Sequence, residues 1–110
     1  MKFTVLTLFP ELFELYLSQT IIQRAVDAEI TDYNIVNIRD YSGNKHSQMD
    51  DIPFGGGAGM VLKPEAYWNF FKEKYSDGET PYTVFVSPQV KRLDHQKVTE
   101  MAEKKEIVLI

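Results

Sequence analysis

Two adjacent carboxylates and a cluster of glycines set one stretch of the sequence apart, Asp50–Met60. Four of the chain's six glycines lie there, at Gly55, Gly56, Gly57 and Gly59. Glycine reaches positive φ and lets the backbone approach a partner closely, but it loses more conformational entropy on folding than other residues. The glycines alone fit a flexible surface connection as well as a ligand-holding loop. Asp50, Asp51 and the stiff Pro53 ahead of the glycines favour a loop that holds a ligand or substrate.

The glycine pattern matches neither of the common nucleotide-phosphate motifs. A Walker P-loop ends in Gly-Lys-Ser/Thr, which this stretch lacks. The pattern Gly-x-Gly-x-x-Gly, counted from Gly57, requires a glycine where Leu62 stands. Those two classes of nucleotide site are therefore excluded.

Cysteine chemistry is absent and metal chemistry is not indicated. The chain has no cysteine, which excludes disulfides, thiolate metal sites and cysteine nucleophiles. His46 and His95 lie far apart in the sequence, and neither has a second ligand at metal-binding spacing. We therefore predict no metal site.

The composition is that of one globular domain. Of the 110 residues, 44% are hydrophobic and 25% are charged, which is ordinary for a soluble protein. The net charge of −4 argues against a sequence-independent nucleic-acid coat protein but leaves room for a local basic patch. No apolar run approaches the roughly 18 residues of a membrane span, and the N-terminus does not resemble a signal peptide. We expect a cytoplasmic protein with no membrane partner.

Strand and helix patterns alternate along the chain. Buried strands are predicted at Phe3–Phe9, Asp32–Ile38, Tyr82–Val86 and Ile107–Ile110. Helical spacing begins at Pro10, Thr20, Pro64 and Leu93, with Thr20 as the expected N-cap of its helix. This alternation predicts an α/β fold with a parallel sheet and flanking helices.

Two stretches do not fit a complete, regular domain. Between Arg39 and Gly59 about twenty residues show no periodicity, and loops of that length tend to be functional or disordered. The last strand, Ile107–Ile110, has no turn or polar cap after it. We therefore expect a truncated domain, with this strand exposed at an edge of the sheet.

Distinctive short motifs follow three of the predicted strands. They are Phe9-Pro10-Glu11, Arg39-Asp40-Tyr41 and Ser87-Pro88-Gln89. Taken singly, they are also explained as a helix start, a surface ion pair and a strand stop. Because binding crevices in parallel sheets lie beyond the carboxyl ends of the strands, the three motifs together predict a site at that edge.

The motifs resemble, in order and spacing, the start of the bacterial tRNA (guanine-N1)-methyltransferases of the SPOUT superfamily. The residues that carry the resemblance are Leu8–Phe13, Arg24-Ala25, Arg39–Tyr41, Asp50–Met60 and Ser87–Gln89. The string Asp-Asp-x-Pro-Phe/Tyr-Gly-Gly-Gly-x-Gly-Met is the most specific of them. The resemblance extends over all 110 residues.

This resemblance implies a transferase that modifies tRNA. The methyl group would move from S-adenosylmethionine to N1 of the guanosine just 3′ of the anticodon. The family's methyltransferase domain is a trefoil-knotted α/β fold that works as a homodimer. The chain would be the N-terminal part of that domain, inactive alone. The knot, the general base and the C-terminal tRNA-binding domain would then lie beyond residue 110.

The resemblance also implies roles for individual residues. The residues implied to line the adenosyl pocket are Phe85, Val86, Ser87 and Pro88. The residues implied to lie beside cofactor and substrate are Gly55, Gly56, Gly57 and Gly59. Asp50 would contact the target guanine, while Arg39 and His46 would approach the tRNA. No residue of the chain is implied as the general base. Val90 departs from the family, which usually has glycine after Ser-Pro-Gln, and is expected to narrow the cofactor pocket.

Two other interpretations remain open at this point. The chain could be a non-enzymatic nucleotide- or RNA-binding α/β module. It could also come from a knotted methyltransferase that acts on another RNA nucleotide, which only the motif match argues against.

Overall fold

The computed structural model describes residues 1–76 and 78–110 as an α/β fold. The strands are β1 (Lys2–Thr7), β2 (Asp32–Asn37), β3 (Asp50–Asp51), β4 (Val61–Leu62), β5 (Tyr82–Val84) and β6 (Glu106–Leu109). The helices are α1 (Pro10–Leu17), α2 (Thr20–Asp27), α3 (Glu65–Lys74) and α4 (His95–Ala102). A single 3-10 turn, Ile38–Tyr41, follows β2. The predicted fold class is confirmed.

The chain forms two compact units. The first unit combines residues 1–36 with residues 81–110, and the second unit consists of residues 37–80.

The first unit contains a four-stranded sheet with the order β2-β1-β6-β5. Both β1 and β5 run parallel to β6, with Phe3 and Tyr82 each opposite Ile107. Ile107 and Val108 are therefore buried, at 1% and 0% exposure. The prediction that the last strand forms an exposed edge is wrong, because β6 is hydrogen-bonded on both sides.

Thr4, in the middle of β1, is a buried polar residue without a hydrogen-bonded hydroxyl. Thr4 is 1% exposed, and its Oγ1 has no partner among the described residues. A buried hydroxyl that gains no hydrogen bond on folding loses its water contacts without compensation.

We expect Thr4→Val to raise the free energy of unfolding by about 1 kcal/mol, because valine keeps the shape and removes the unpaired hydroxyl. Urea denaturation measures the change. Thr83→Val is a matched control, since Thr83 also lies opposite Val108 but is exposed and donates to the Pro81 carbonyl at 3.1 Å. Destabilisation by Thr4→Val would contradict the interpretation.

The two helices that follow β1 match the sequence in position, but one predicted cap is wrong. Pro10 is the first residue of α1, as expected. Thr20 does not cap α2; it is the first helical residue, with φ of 34°, and Gln19 precedes it in extended conformation. Only two residues separate the helices, and Gln19 N–H donates back to Tyr16 O at 3.2 Å. Because an N-cap residue has β-region φ and ψ, Gln19 and not Thr20 occupies that position.

The second unit gives structure to the stretch that lacks periodicity. β3 and β4 pair as a short antiparallel hairpin, with Asp50 opposite Leu62 and Asp51 opposite Val61. Two-residue strands are too short to show alternation, which is why the sequence does not reveal them.

Helix α3 packs on the 3-10 turn through aromatic side chains. The Phe70 ring, 1% exposed, meets the Tyr41 ring edge-on at 5.3 Å. Trp68, on the same helix, is 70% exposed. No helix within residues 1–76 or 78–110 has the length and apolar content needed to cross a bilayer.

Candidate functional site

Two of the three motifs expected at the sheet edge belong to the first unit. Val5 of β1 and Val84 of β5 both lie opposite Leu109, so the segments after these parallel strands leave the same edge. The pairing with β6 continues past β5, since Ile110 N–H donates to Val84 O at 2.9 Å and Val86 N–H donates to Ile110 O at 3.0 Å. The residues 85–88, expected to bind cofactor, therefore begin as an extension of the sheet.

This edge presents apolar side chains and then a tight turn. Phe85 and Val86 are mostly exposed, at 65% and 72%. Ser87 Oγ accepts the Gln89 N–H at 3.3 Å, which closes a turn at Ser87-Pro88. Val90 is 58% exposed and does not have a positive φ, so a side chain fits at this position without backbone strain.

A cavity of about 400 Å³ lies elsewhere in the first unit. Its lining includes Lys2, Glu29 and Asp32, near the amino ends of β1 and β2. None of the candidate residues lines it, so it is not the site that the motifs predict.

The glycine loop is the connection between β3 and β4 in the second unit. Gly55, Gly56, Gly57 and Gly59 have φ of 86°, 78°, 123° and 95°, all in the region that other residues rarely adopt. A Cβ added to any of the four would meet no atom within 4 Å. The glycines are therefore required by the backbone path of the loop and not by crowding within this chain.

The two aspartates ahead of this loop have different environments. Asp51 Oδ1 accepts the Ile52 N–H at 2.8 Å, and Asp51 Oδ2 lies 3.3 Å from Lys63 Nζ. Asp50 is exposed, and within the described part of the chain its carboxylate makes neither a hydrogen bond nor an ion pair. Asp51 thus connects the two sides of the hairpin, while the Asp50 carboxylate remains available to a ligand.

The pKa of Asp51 is lowered from its ordinary value of 3.8, first by the Ile52 N–H and then by Lys63. A lowered folded-state pKa means that ionised Asp51 stabilises the fold above pH 3.8, and that this contribution is lost as the pH falls through the folded-state pKa.

We expect an NMR pH titration of the Ile52 amide to show a midpoint below 3.8. Lys63→Met should raise that midpoint only part of the way back, because the backbone N–H has the larger effect. A midpoint at or above 3.8 in the unmodified protein would show that the Ile52 contact is not made in solution.

The candidates for tRNA contact lie on one continuous segment of the second unit. Arg39 Nη1 donates to Ser47 O at 3.4 Å, which joins the 3-10 turn to the loop that carries His46. The His46 N–H donates to Asn44 Oδ1 at 3.2 Å, and the side chain is exposed. The structure thus connects Arg39 and His46 through one loop, whose end leads into Asp50.

Asn44 is the organising residue of this loop and was not selected from the sequence. Asparagine side chains often bond the backbone two residues on, as an Asx turn, and Asn44 Oδ1 accepts the His46 N–H in this way. Ser42-Gly43-Asn44 does contain typical turn residues, so composition could have indicated a tight turn. In the described ranges, no three histidine, aspartate or glutamate side chains gather to hold a metal ion.

Comparison with known proteins identifies one family. The sequence profile described as "tRNA (Guanine-1)-methyltransferase TrmD" matches residues 1–110. The tRNA (guanine-N(1)-)-methyltransferase of Thermosipho melanesiensis is 45% identical over 113 residues, covering 100% of this chain and 45% of the relative. The same enzyme of Staphylococcus haemolyticus is 46% identical over 110 residues, covering 100% and 44%.

The fold of a solved structure agrees with this match. The crystal structure of the tRNA (m1G37) methyltransferase from Aquifex aeolicus superimposes with a TM-score of 0.89 at 28% identity. The superposition covers 100% of this chain and 50% of the Aquifex aeolicus chain. The chain therefore spans about half the length of the relatives that it matches.

Proposed function

Because the chain belongs to the tRNA (guanine-1)-methyltransferase family, we propose that it is the N-terminal part of an enzyme that methylates tRNA. The methyl group moves from S-adenosylmethionine to N1 of the guanosine 3′ of the anticodon. The observation that carries this proposal is the match of residues 1–110 to the family. The knot, the general base and the C-terminal tRNA-binding domain belong to a further part of the protein.

Residues 85–88 hold the cofactor in this proposal. The exposed side chains of Phe85 and Val86 suit the apolar faces of an adenine ring, and they stand at the carboxyl end of parallel strands, where such ligands bind. The turn at Ser87-Pro88 sets the direction in which the backbone leaves this surface. S-adenosylmethionine, when bound, supplies the electrophilic methyl group. Gly55, Gly56, Gly57 and Gly59 lie beside cofactor and substrate in the same proposal.

Asp50 recognises the target base. The Watson–Crick edge of guanine presents N–H donors, and a carboxylate is an acceptor-only group that matches them. Asp50 is exposed, and its carboxylate is not used in the described part of the chain. Arg39 and His46, on the preceding turn and loop, contact the tRNA in this proposal, and their exposed loop supports it. No group of this chain is assigned the removal of the N1 proton.

We further propose a cytoplasmic homodimer. Exposed apolar side chains on the first unit indicate a surface against which further polypeptide packs, either from the same protein or from a second copy. They include Leu12, Tyr16 and Leu93.

Methyl transfer from labelled S-adenosylmethionine to two tRNA transcripts tests the function. One transcript carries guanosine next to the anticodon and the other carries adenosine. Labelling of the guanosine transcript alone, by the protein as its gene encodes it, supports the proposal, and labelling of neither transcript rejects it. Binding of tRNA without labelling would favour the alternative, a non-enzymatic RNA-binding module.

A further inference from the structure

We propose that Asn44 is a positioning residue for tRNA, which fixes the loop that carries His46 and is hydrogen-bonded to Arg39 and Asp50. The inference rests on the proposed function and extends it to a residue whose side chain does not itself touch the substrate.

The Asn44 side chain makes four hydrogen bonds to the backbone of its own loop. Its Oδ1 accepts the N–H groups of His46 at 3.2 Å and Gln48 at 2.9 Å. Its Nδ2 donates to the carbonyls of Ser42 at 3.4 Å and Gln48 at 2.9 Å. One amide group therefore satisfies both backbone groups of Gln48 and sets the path of the whole loop.

The loop held by Asn44 reaches all three tRNA candidates. His46 is bonded to Asn44 directly. Arg39 reaches the loop through the Ser47 carbonyl, and Gln48 Nε2 donates to the Asp50 carbonyl at 3.1 Å. These contacts lie entirely within the second unit. They link the Asn44 side chain, directly or through its loop, to each of the three residues.

The conformation of the loop needs this support. Ser47 has φ of 50°, which costs a non-glycine residue free energy, and its N–H donates to Asn44 O at 3.2 Å. The loop residues 43–48 are exposed, so little buried surface holds them. Without the Asn44 amide, Ser47 is free to relax and the loop samples other conformations. Substrate binding must then supply the ordering.

The test uses the full-length protein and three variants of it. Asn44→Ala removes both the acceptor and the donor. Asn44→Asp keeps an acceptor for the two N–H groups but loses the amide donor to the two carbonyls. Asn34→Ala is the matched control, because Asn34 is an exposed asparagine whose side chain makes no hydrogen bond within residues 1–76 and 78–110.

We expect Asn44→Ala to lower kcat/KM for tRNA by about tenfold, mainly through KM, with the affinity for S-adenosylmethionine unchanged within about twofold. Asn44→Asp should recover part of the loss, and Asn34→Ala should match the parent. Thermal unfolding accompanies each assay, because a residue with only a structural role would lower the melting temperature without a selective effect on tRNA.

The results separate this proposal from the function on which it rests. If the parent protein labels no tRNA, the proposed function has failed. If the parent is active and Asn44→Ala retains its kcat/KM for tRNA, the positioning role is wrong. An equal loss of cofactor affinity and tRNA affinity also overturns that role, because it indicates general damage to the fold.

Discussion

Replacing Phe70 by alanine is expected to lower the free energy of unfolding by about 3–5 kcal/mol, the usual cost of removing a buried aromatic ring. Phe70 is 1% exposed and is among the largest fully buried side chains. Its ring meets those of Tyr41, Phe71 and Tyr75 at centroid distances of 5.3, 5.4 and 6.1 Å, each steeply inclined to it. Such aromatic pairs add about 0.5–1.5 kcal/mol each beyond the burial of area.

The loss of packing at Phe70 also affects the residues next to the candidate site, because helix α3 contacts them. Tyr41 ends the 3-10 turn that contains Arg39, and Asn69 Nδ2 of the helix donates to the Tyr41 carbonyl at 2.9 Å. Without the Phe70 ring, the helix and the turn share a smaller apolar contact, and we expect faster hydrogen exchange in both.

Urea denaturation and hydrogen exchange measure the effect, with Trp68→Ala as the matched control. Trp68 lies on the same helix and is larger, but it is 70% exposed, so its loss should cost less than about 1 kcal/mol. Equal effects of the two variants would show that helix content alone, and not packing against the turn, determines the stability of this unit.

The sequence predicted the first unit well because its signals are local or periodic. Apolar runs defined β1, β2, β5 and β6 to within a few residues, and Pro10 marked the first residue of α1. The position of β6 was wrong. The apolar sequence of β6 indicates that the strand is buried. Its place in the sheet depends on tertiary pairing with β1 and β5, which the sequence pattern does not contain.

The second unit was harder to predict because its order comes from side-chain contacts between irregular segments. The sequence singled out the glycine loop from its composition, and the positive φ of all four glycines explains that composition. The residue pattern by itself did not distinguish Asp50 from Asp51, and only the resemblance singled out Asp50, since their difference depends on where the Ile52 N–H and Lys63 lie in the folded hairpin. Asn44 was missed for the same reason, because its four bonds exist only once the loop has closed.

The aromatic residues of α3 show how far helical periodicity can be used. Helical spacing favours a buried face for the aromatic residues between Tyr67 and Phe71, and Phe70 and its half-buried neighbours Tyr67 and Phe71 agree with this. Trp68 does not, since it points away from the packed surface. Four aromatic residues among five successive positions cannot all lie on one side of a helix.

Asp50→Ala is expected to lower kcat/KM for methyl transfer to tRNA by about 100-fold, if Asp50 recognises the guanine as proposed. A hydrogen bond to a charged acceptor contributes about 1.5–3 kcal/mol, and loss of the contact also leaves the base less well oriented for transfer. The carboxylate is exposed and has no partner in the described part of the chain, so its removal should leave the melting temperature nearly unchanged.

A fall in methyl transfer without weaker tRNA binding distinguishes this role from a general electrostatic one. A carboxylate near tRNA repels phosphates, so its removal by itself would tighten binding. We therefore expect Asp50→Ala to bind tRNA as tightly as the parent or more tightly, while methyl transfer falls. Filter binding and single-turnover labelling measure the two quantities separately.

Asp51→Asn is the matched comparison for this prediction. It removes the charge that pairs with Lys63 at 3.3 Å and should lower the thermal stability of the hairpin, with a loss of kcat/KM below about tenfold. If the two variants lose activity equally, the carboxylates act together through the hairpin and not through separate roles. If Asp50→Ala keeps its activity within about threefold of the parent, Asp50 does not recognise the base.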